Sequence, residues 1–598
     1  MPINIGANTV GGIFAANSFR VPHYQRAYAW TEEPHLRDFL DDLRSHPAAS
    51  KRPYYLGTVL LTRSESQPHA RLTQYDVVDG QQRLTTITIF AASVLRRLAA
   101  DPARNDTVEE FTDGLLFSRG KQRLFKTVEE DDPFFERFIT GAENATANDC
   151  ITPSQKRLAA AKRYFDIETG KIPTAQLEAL LDRLFKSTIL IYAVESTIEA
   201  TQIFEFQNDR GKRLTNLEAL KSYLMHGLYL HGGENTENDL HYVQSQFARL
   251  YRTAEAIEGE VLAPSEDQLL GYHCAAYLPH IMLNDEEGWR KPKELIRHIL
   301  ASPAHLGAYG PTDFIRRFSD QLADSYGDAL KVLQARVGAA PVAGLFVLGR
   351  TAIFWPVLLK AWRLGQPSMP HDFDRVARAM ERFASVSSLA GVRADTGESK
   401  LRGIANRFSG DFAELIAEID RMRTDWNIPA RLATALDDPD FYHGGRTARY
   451  VLWKYENHLR SQPGSREQLL SWKELVQDKS TPEQYGLDHI LAQEGDEIVL
   501  NALTRWNPKS ADEIARPFRE IFLHRLGNLV LDTRSTGASK GTKHFRDRAD
   551  NYSRSTFVSQ KEIVTKFASK LPDGSLDWDE QAIRTRHSVL RSFALTQL

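Results

Sequence analysis

The run Tyr75–Val78 (YDVV) passes directly into Asp79-Gly80 and then into apolar positions recurring at helical spacing over Leu84–Leu98. Aromatic and β-branched residues predict a strand, Asp-Gly a turn, and the 3.6-residue period a helix. The chain is thereby committed to a strand–turn–helix junction with DGQQR (Asp79–Arg83) on the turn. Tyr54–Leu61 (YYLGTVLL) and Thr188–Val194 (TILIYAV) read as two more strands. The second leads into an amphipathic segment with Phe204, Leu217, Leu220 and Leu224 on recurring faces. Residues 105–185 read mainly as helix and loop, and residues 235–440 as helix nearly throughout. The pattern predicts an α+β, predominantly helical multidomain protein.

A chain of 598 residues exceeds what one hydrophobic core supports. The divisions expected are 1–230, an N-terminal domain carrying DGQQR; 231–440, a helical packing domain; and 441–598, a C-terminal domain with its own polar motifs. With 75 Lys+Arg against 78 Asp+Glu, a uniformly basic nucleic-acid coat is excluded, while a local basic groove is not. The two cysteines, Cys150 and Cys274, are too few for a disulfide framework or a Cys-based zinc ribbon. The start, Met-Pro-Ile-Asn-Ile, lacks the basic and apolar regions of a signal peptide. The most apolar stretch, Ala340–Trp362, is interrupted by Arg350, Pro356 and Lys360, which predicts a buried helix pair rather than a membrane span. A cytoplasmic location without membrane association is the expectation.

Three polar clusters mark the N-terminal part: Val21–Trp30 (VPHYQRAYAW), Asp79–Arg83, and Asn208–Gly211 (NDRG). A turn that opens a helix offers free backbone N–H groups and the positive dipole end. Gly80 permits close approach, and Arg26 and Arg83 supply forked donors for phosphate oxygens. Gln81 and Gln82 orient a water or a base, and Asp79 holds a divalent cation through water. These are parts of a nucleotide-phosphate pocket without a P-loop; a plain strand–turn–helix junction with Arg83 in a salt bridge is the competing interpretation.

In the C-terminal part, Gly486–Gln493 (GLDHILAQ) and Leu523–Leu531 (LHRLGNLVL) place an Asp-His pair and an Asn on two β-like runs. In ββα-metal nucleases a His activates water against the phosphodiester, a neighbouring Asp holds a divalent metal, and a buried Asn orients the imidazole. His489, Asp488 and Asn528 fit these roles, against the alternative of a satisfied core histidine. Arg525, Arg534, Lys540, Lys543, Arg546 and Arg548 lie beside them and suit phosphate contacts, or a solvated face balanced by Asp532, Asp547 and Asp550.

VPHYQRAYAW, YYLGTVLL, YDVVDGQQRLTTI and FEFQNDRGKRLTNLEALKSYL, in that order, resemble the ParB-like domain that heads the GmrSD-like family of modification-dependent DNA restriction factors, which includes phosphorothioate-sensing Ssp-type relatives. DHILAQ, FLHRLGNLVLD, TKHFRDRADNY and WDEQAIRTRHSVL resemble the HNH, or ββα-metal, domain that closes them. The resemblance implies nucleoside-triphosphate binding and hydrolysis at Asp79, Gly80, Gln81, Gln82 and Arg83, with Gln25, Arg26, Asn208 and Arg210. It implies catalysis by His489 and Asn528 with Mg²⁺ or Mn²⁺. The family's second Asn falls at Gly537 here, which has no side chain to ligate a metal, and its Lys falls at Arg548. Either His544 or Asp547 replaces the missing ligand, or the domain binds DNA without cutting, as a nucleotide-gated sensor or an NTPase. The implied function is an anti-phage, nucleotide-regulated DNA endonuclease or nickase acting on modified phage DNA. Oligomeric state, homo-oligomer included, is left open.

Overall fold

The computed structural model describes residues 6–46, 53–65, 71–119, 122–141, 143–194, 215–306, 310–338, 340–365, 370–425, 428–476, 484–491, 501, 504–533 and 544–598. The chain divides into two units, one of residues 1–274 and 279–330, the other of residues 275–278 and 331–598. The architecture is α+β and predominantly helical.

Six strands of the first unit form one mixed sheet: β1 (Gly6–Thr9), β2 (Asn17–Arg20), β3 (Tyr55–Arg63), β4 (Thr73–Asp79), β5 (Phe125–Lys126) and β6 (Thr188–Val194), in the order β1-β6-β3-β4-β2-β5. β3 runs antiparallel to β4 and parallel to β6, while β2 runs parallel to both β4 and β5. β4 feeds helix α1 (Gln81–Leu98), whose Leu84, Ile87, Phe90 and Val94 are buried. Phe90 meets Phe165 of helix α2 (Pro153–Gly170) edge-on at 5.3 Å, and Phe39 completes the triad at 5.7 and 6.0 Å. Each such ring contributes about 1.5–3 kcal/mol of burial, so α1 is fixed along its length by packing rather than by propensity. α2 begins with a capping box, Thr152 to Gln155, and Pro153 in its first turn. Helix α3 (Asn216–His231) begins with another, Thr215 to Glu218, and buries Leu217, Leu220 and Leu224 on one side.

In the second unit, Ala340–Trp362 forms two buried helical segments, α4 (Pro341–Leu348) and α5 (Trp355–Gly365), as its interruptions predict. No helix among the described residues is long and apolar enough to cross a membrane. Helix α6 (Arg446–Arg460) packs beside a two-stranded hairpin, β7 (Tyr485–His489) against β8 (Leu529–Thr533), followed by helices α7 (Phe545–Ser553) and α8 (Glu580–Gln597). Val530, Phe545, Tyr552, Trp578 and Ile583 share the core that joins hairpin, α7 and α8.

Candidate functional site

DGQQR sits on the β4–α1 turn. Gly80 adopts φ +92°, and a Cβ there would lie 2.7 Å from Val59 Cγ2, so only glycine lets the turn close on β3. The residue at the N-cap of α1 is Gly80, which has no side chain to cap the helix, and the amide donors of a helix's first turn suit an anion. Gln82 spends both ends of its amide on the VPHYQRAYAW segment: Oε1 accepts from Ala29 N at 2.8 Å and Nε2 donates to Ala27 O at 3.1 Å. Gln25 Nε2 donates to Val78 O at 2.8 Å. The first two motifs are thus tied together through backbone groups. Gln81 is buried at the start of α1.

Arg83 donates to Thr58 O at 2.6 Å and lies against Gly57, where a Cβ would approach its guanidinium carbon to 2.9 Å. Burial lowers the Arg83 pKa, opposed by the nearby Asp79 carboxylate. Arg26 pairs instead with Glu266 at 3.3 Å, beside a cavity of about 630 Å³ that Arg157, Thr215 and Tyr251 also line. Burial opposes the Arg26 charge, yet Glu266 and Glu218 raise its pKa overall. The two arginines therefore hold different partners. Asn208 and Arg210 lie outside the described residues.

The second site is on the β7–β8 hairpin. Asp488 pairs across the ladder with Val530, and His489 with Leu529. Because side chains alternate along a strand, Asp488 and His489 face opposite sides of the hairpin. Asp488 shares its side with Val530, the side covered by Phe545 and Tyr552, and its Oδ1 accepts from His489 N at 2.8 Å. Adjacency in sequence thus does not make them a joint ligand-and-base pair facing one point.

His489 is only 4% exposed, and its Nε2 lies 3.0 Å from His524 Nδ1. The Tyr442 ring packs on it at 4.5 Å, and the His443 ring lies 5.1 Å from that of His524. Burial, followed by the neighbouring His524 and His443, pushes the His489 pKa down to about 3, so the imidazole stays neutral. Tyr442 N donates to His524 O at 3.0 Å, and the Asp440 carboxylate accepts from His443. Sequence reasoning does not single out His524, Tyr442 or His443; the only signal is the position of His524 within LHRLGNL.

Asn528 is fully buried, but it does not orient the His489 ring. Its Oδ1 accepts from Leu491 N and Trp578 Nε1, each at 2.9 Å, and its Nδ2 donates to Leu523 O at 2.8 Å. It pins the chain that follows His489. Two buried guanidiniums complete the frame: Arg548 donates to His489 O at 3.2 Å, and Arg586 donates to Gly527 O and Leu529 O at 2.9 and 2.6 Å. Arg548 is therefore no part of a DNA-facing surface. Arg525 is half-buried and directed at Asp437 O, 3.4 Å away. His544 caps α7, its Nδ1 accepting from Arg546 N at 3.3 Å. Among the described residues no three His, Cys, Asp or Glu side chains converge to hold an ion. Arg534, Lys540, Lys543 and Gly537 lie outside them.

The GmrSD restriction endonuclease N-terminal domain matches residues 10–225, and the GmrSD restriction endonuclease C-terminal domain matches residues 429–593. The chain belongs to the GmrSD-like restriction endonuclease family. No curated protein matches it. Membership supports a role as a modification-dependent restriction endonuclease, with DNA as its partner. The DGQQR turn falls in the N-terminal GmrSD match and the hairpin carrying His489 in the C-terminal one.

Proposed function

We propose that the protein is an anti-phage DNA endonuclease or nickase whose cutting of modified DNA is regulated by binding and hydrolysis of a nucleoside triphosphate. The observation that carries this reading is the hairpin-and-helix frame around His489, in a chain that matches the GmrSD C-terminal domain. A neutral imidazole at the end of β7, anchored by Arg548 and flanked by a second imidazole, suits activation of water against a phosphodiester. Asn528 supports that imidazole through the backbone. Asp488 offers oxygen donors suited to Mg²⁺ or Mn²⁺, and His544 a ring nitrogen; a bound cation would neutralise charge developing on the phosphoryl oxygens. At the other site, the start of α1 after Gly80 would take the phosphates, with Arg83 and Arg26 as the flanking cations and Asn208 and Arg210 contributing from the third motif. Arg534, Lys540 and Lys543 would contact the DNA backbone.

The test is cleavage of supercoiled plasmid, modified and unmodified, in Mg²⁺ or Mn²⁺ with and without nucleotide. Wild type is expected to nick or linearise, His489→Ala to lose cutting while retaining DNA binding, and Arg83→Ala to lose the nucleotide response. Absence of cutting under every condition overturns the endonuclease reading. A second reading, a nucleotide-gated DNA sensor or NTPase with a non-cutting hairpin, draws on the opposite facing of Asp488 and His489. It predicts nucleotide-dependent DNA binding and phosphate release that His489→Ala leaves unchanged.

A further inference from the structure

A duplex carries a negative charge on every phosphate, so seating one at the nuclease site requires cations well beyond the phosphodiester that is cut. Three arginines of the hairpin frame are spent inward: Arg548 on His489 O, Arg586 on Gly527 O and Leu529 O, and Arg525 toward Asp437 O. Uncommitted cations lie elsewhere in the same unit, on the helix Pro370–Leu389. Phe373, Val376, Met380 and Phe383 are among the residues that bury most of its surface. Its exposed residues are His371, Asp374, Arg375, Arg378 and Arg382, and the three arginines, three and four positions apart, follow one row along the axis. Arg375 pairs with Asp372 at 3.1 Å, while Glu381 turns inward to Tyr450 and Lys454. Arg378 and Arg382 make no salt bridge or side-chain hydrogen bond among the described residues. On the adjoining helix Phe412–Asp425, Arg423 is close enough to Arg382 for the two charges to repel, and its nearest carboxylate, Asp420, is 3.8 Å away.

The end of this arginine row is tied to the nuclease site. Ser388 Oγ and Thr447 Oγ1, at the start of α6, share a hydrogen bond of 2.9 Å. Arg446 precedes Thr447, is exposed, and its guanidinium also lacks a salt bridge among the described residues. The chain just before it carries His443, whose ring is 5.1 Å from that of His524. At 1.5 Å per residue, Arg382 and Arg378 stand about 9 and 15 Å back along the helix from Ser388. We infer that Arg446, Arg382 and Arg378 form a phosphate-binding track for duplex DNA that holds the backbone beside the scissile phosphodiester. The inference rests on the endonuclease reading for where the duplex is cut. Arg378 and Arg382 fall between the two matched domains, in a segment to which neither assigns a role. With one phosphate per 3.4 Å of axis on each strand, about 15 Å of track follows about four base pairs. Forked guanidinium donors suit pairs of phosphate oxygens, and an anion laid over Arg382 and Arg423 relieves their repulsion. Contacts of this kind read no bases, so the track grips modified and unmodified DNA alike.

The test is fluorescence anisotropy of a labelled duplex across a salt series, with full-length protein and no divalent cation, so that nothing is cut. Arg378→Gln/Arg382→Gln is expected to reduce the slope of log affinity against log salt by about 1.8, and Arg446→Gln by about 0.9. Arg378→Lys/Arg382→Lys, which keeps the charge, is expected to keep most of the slope. Arg407→Gln is the control, since that exposed guanidinium is already paired with Glu418 at 3.2 Å; its slope is expected to match wild type. Thermal unfolding is expected to be unchanged in the glutamine variants, because the side chains removed are exposed. A slope for Arg378→Gln/Arg382→Gln within about 0.3 of wild type overturns the track. An equal fall per charge in Arg407→Gln also overturns it, because the slope then reports net charge and no particular site. These outcomes are read from binding alone: a wild type that binds and never cuts counts against the endonuclease reading, and the slopes still decide the track. A wild type that binds no duplex overturns both.

Discussion

The Lys221 ammonium donates to the Tyr24 carbonyl at 2.6 Å, binding helix α3 to the VPHYQRAYAW segment across 197 positions of chain. The Tyr24 and Tyr251 rings lie 4.9 and 5.6 Å from the same nitrogen. Tyr24 immediately precedes Gln25 and Arg26, so this contact sets where those side chains begin. Burial drives the Lys221 pKa down to about 7, against the pull of Glu218.

That depression has a sign that stability measurements read. Between about pH 7 and the unfolded lysine value near 10.4, the unfolded chain binds the proton that the folded chain has released, so folding gains as pH rises. Below about pH 7 both states are protonated and the cost of the buried charge is present in full. From pH 7 to 9, wild type should therefore gain relative to Lys221→Met, by at most about 1.4 kcal/mol per pH unit. Urea unfolding of both proteins at several pH values checks this; a difference independent of pH means that the ammonium is not desolvated.

Gly80→Ala should destabilise the first unit by about 2 kcal/mol or more, since the residue must hold a left-handed conformation and its new methyl must displace Val59. Gly170→Ala is the matched control. Gly170 ends α2 with open space where a Cβ would go, so alanine there should be neutral or mildly stabilising. Urea midpoints followed by far-UV circular dichroism compare the two. Equal effects would mean that the β4–α1 turn is not constrained as described.

Asn528→Ala should cost about 2–4 kcal/mol in the second unit, because it strands Leu491 N–H, Leu523 C=O and the Trp578 indole in a buried setting. Trp578 fluorescence, isolated by comparison with a Trp578→Phe background, follows the loss. A failure of this variant to cleave then reports on the frame around His489. Wild-type stability without cleavage would instead return Asn528 to a direct catalytic role.

The long strands and the buried helices are legible because their patterns repeat: Tyr55–Arg63 and Thr188–Val194 are dense in β-branched and aromatic residues, and Leu84–Leu98 keeps helical spacing. Gly6–Thr9, Asn17–Arg20 and Phe125–Lys126 are not, since two to four residues carry no period and are set by the strands they pair with. At the nuclease site, motif order locates His489 and Asn528 but not their partners. Which ring meets His489 depends on how residues 440–444 fold back onto His524, a tertiary contact with no linear signature. The separation of Asp488 from His489 follows from the two-residue period of a strand, and taking the Asp-His pair as a unit conceals it.

Salt dependence of DNA binding separates framework arginines from those that neutralise phosphate. Removing one phosphate-binding cation should reduce the slope of log affinity against log salt by about 0.9 on duplex DNA. Lys540→Gln and Lys543→Gln are each expected to show such a reduction, with similar effects on unrelated sequences. Arg525→Gln is expected to leave the slope unchanged, because its guanidinium is half-buried against Phe522 and the Asp437 carbonyl. It should instead lower stability through the lost hydrogen bond to the Asp437 carbonyl and the lost packing on Phe522. Fluorescence anisotropy across a salt series gives the slopes, and thermal unfolding gives the stability. A slope change in Arg525→Gln as large as in the lysine variants would place Arg525 on the DNA face.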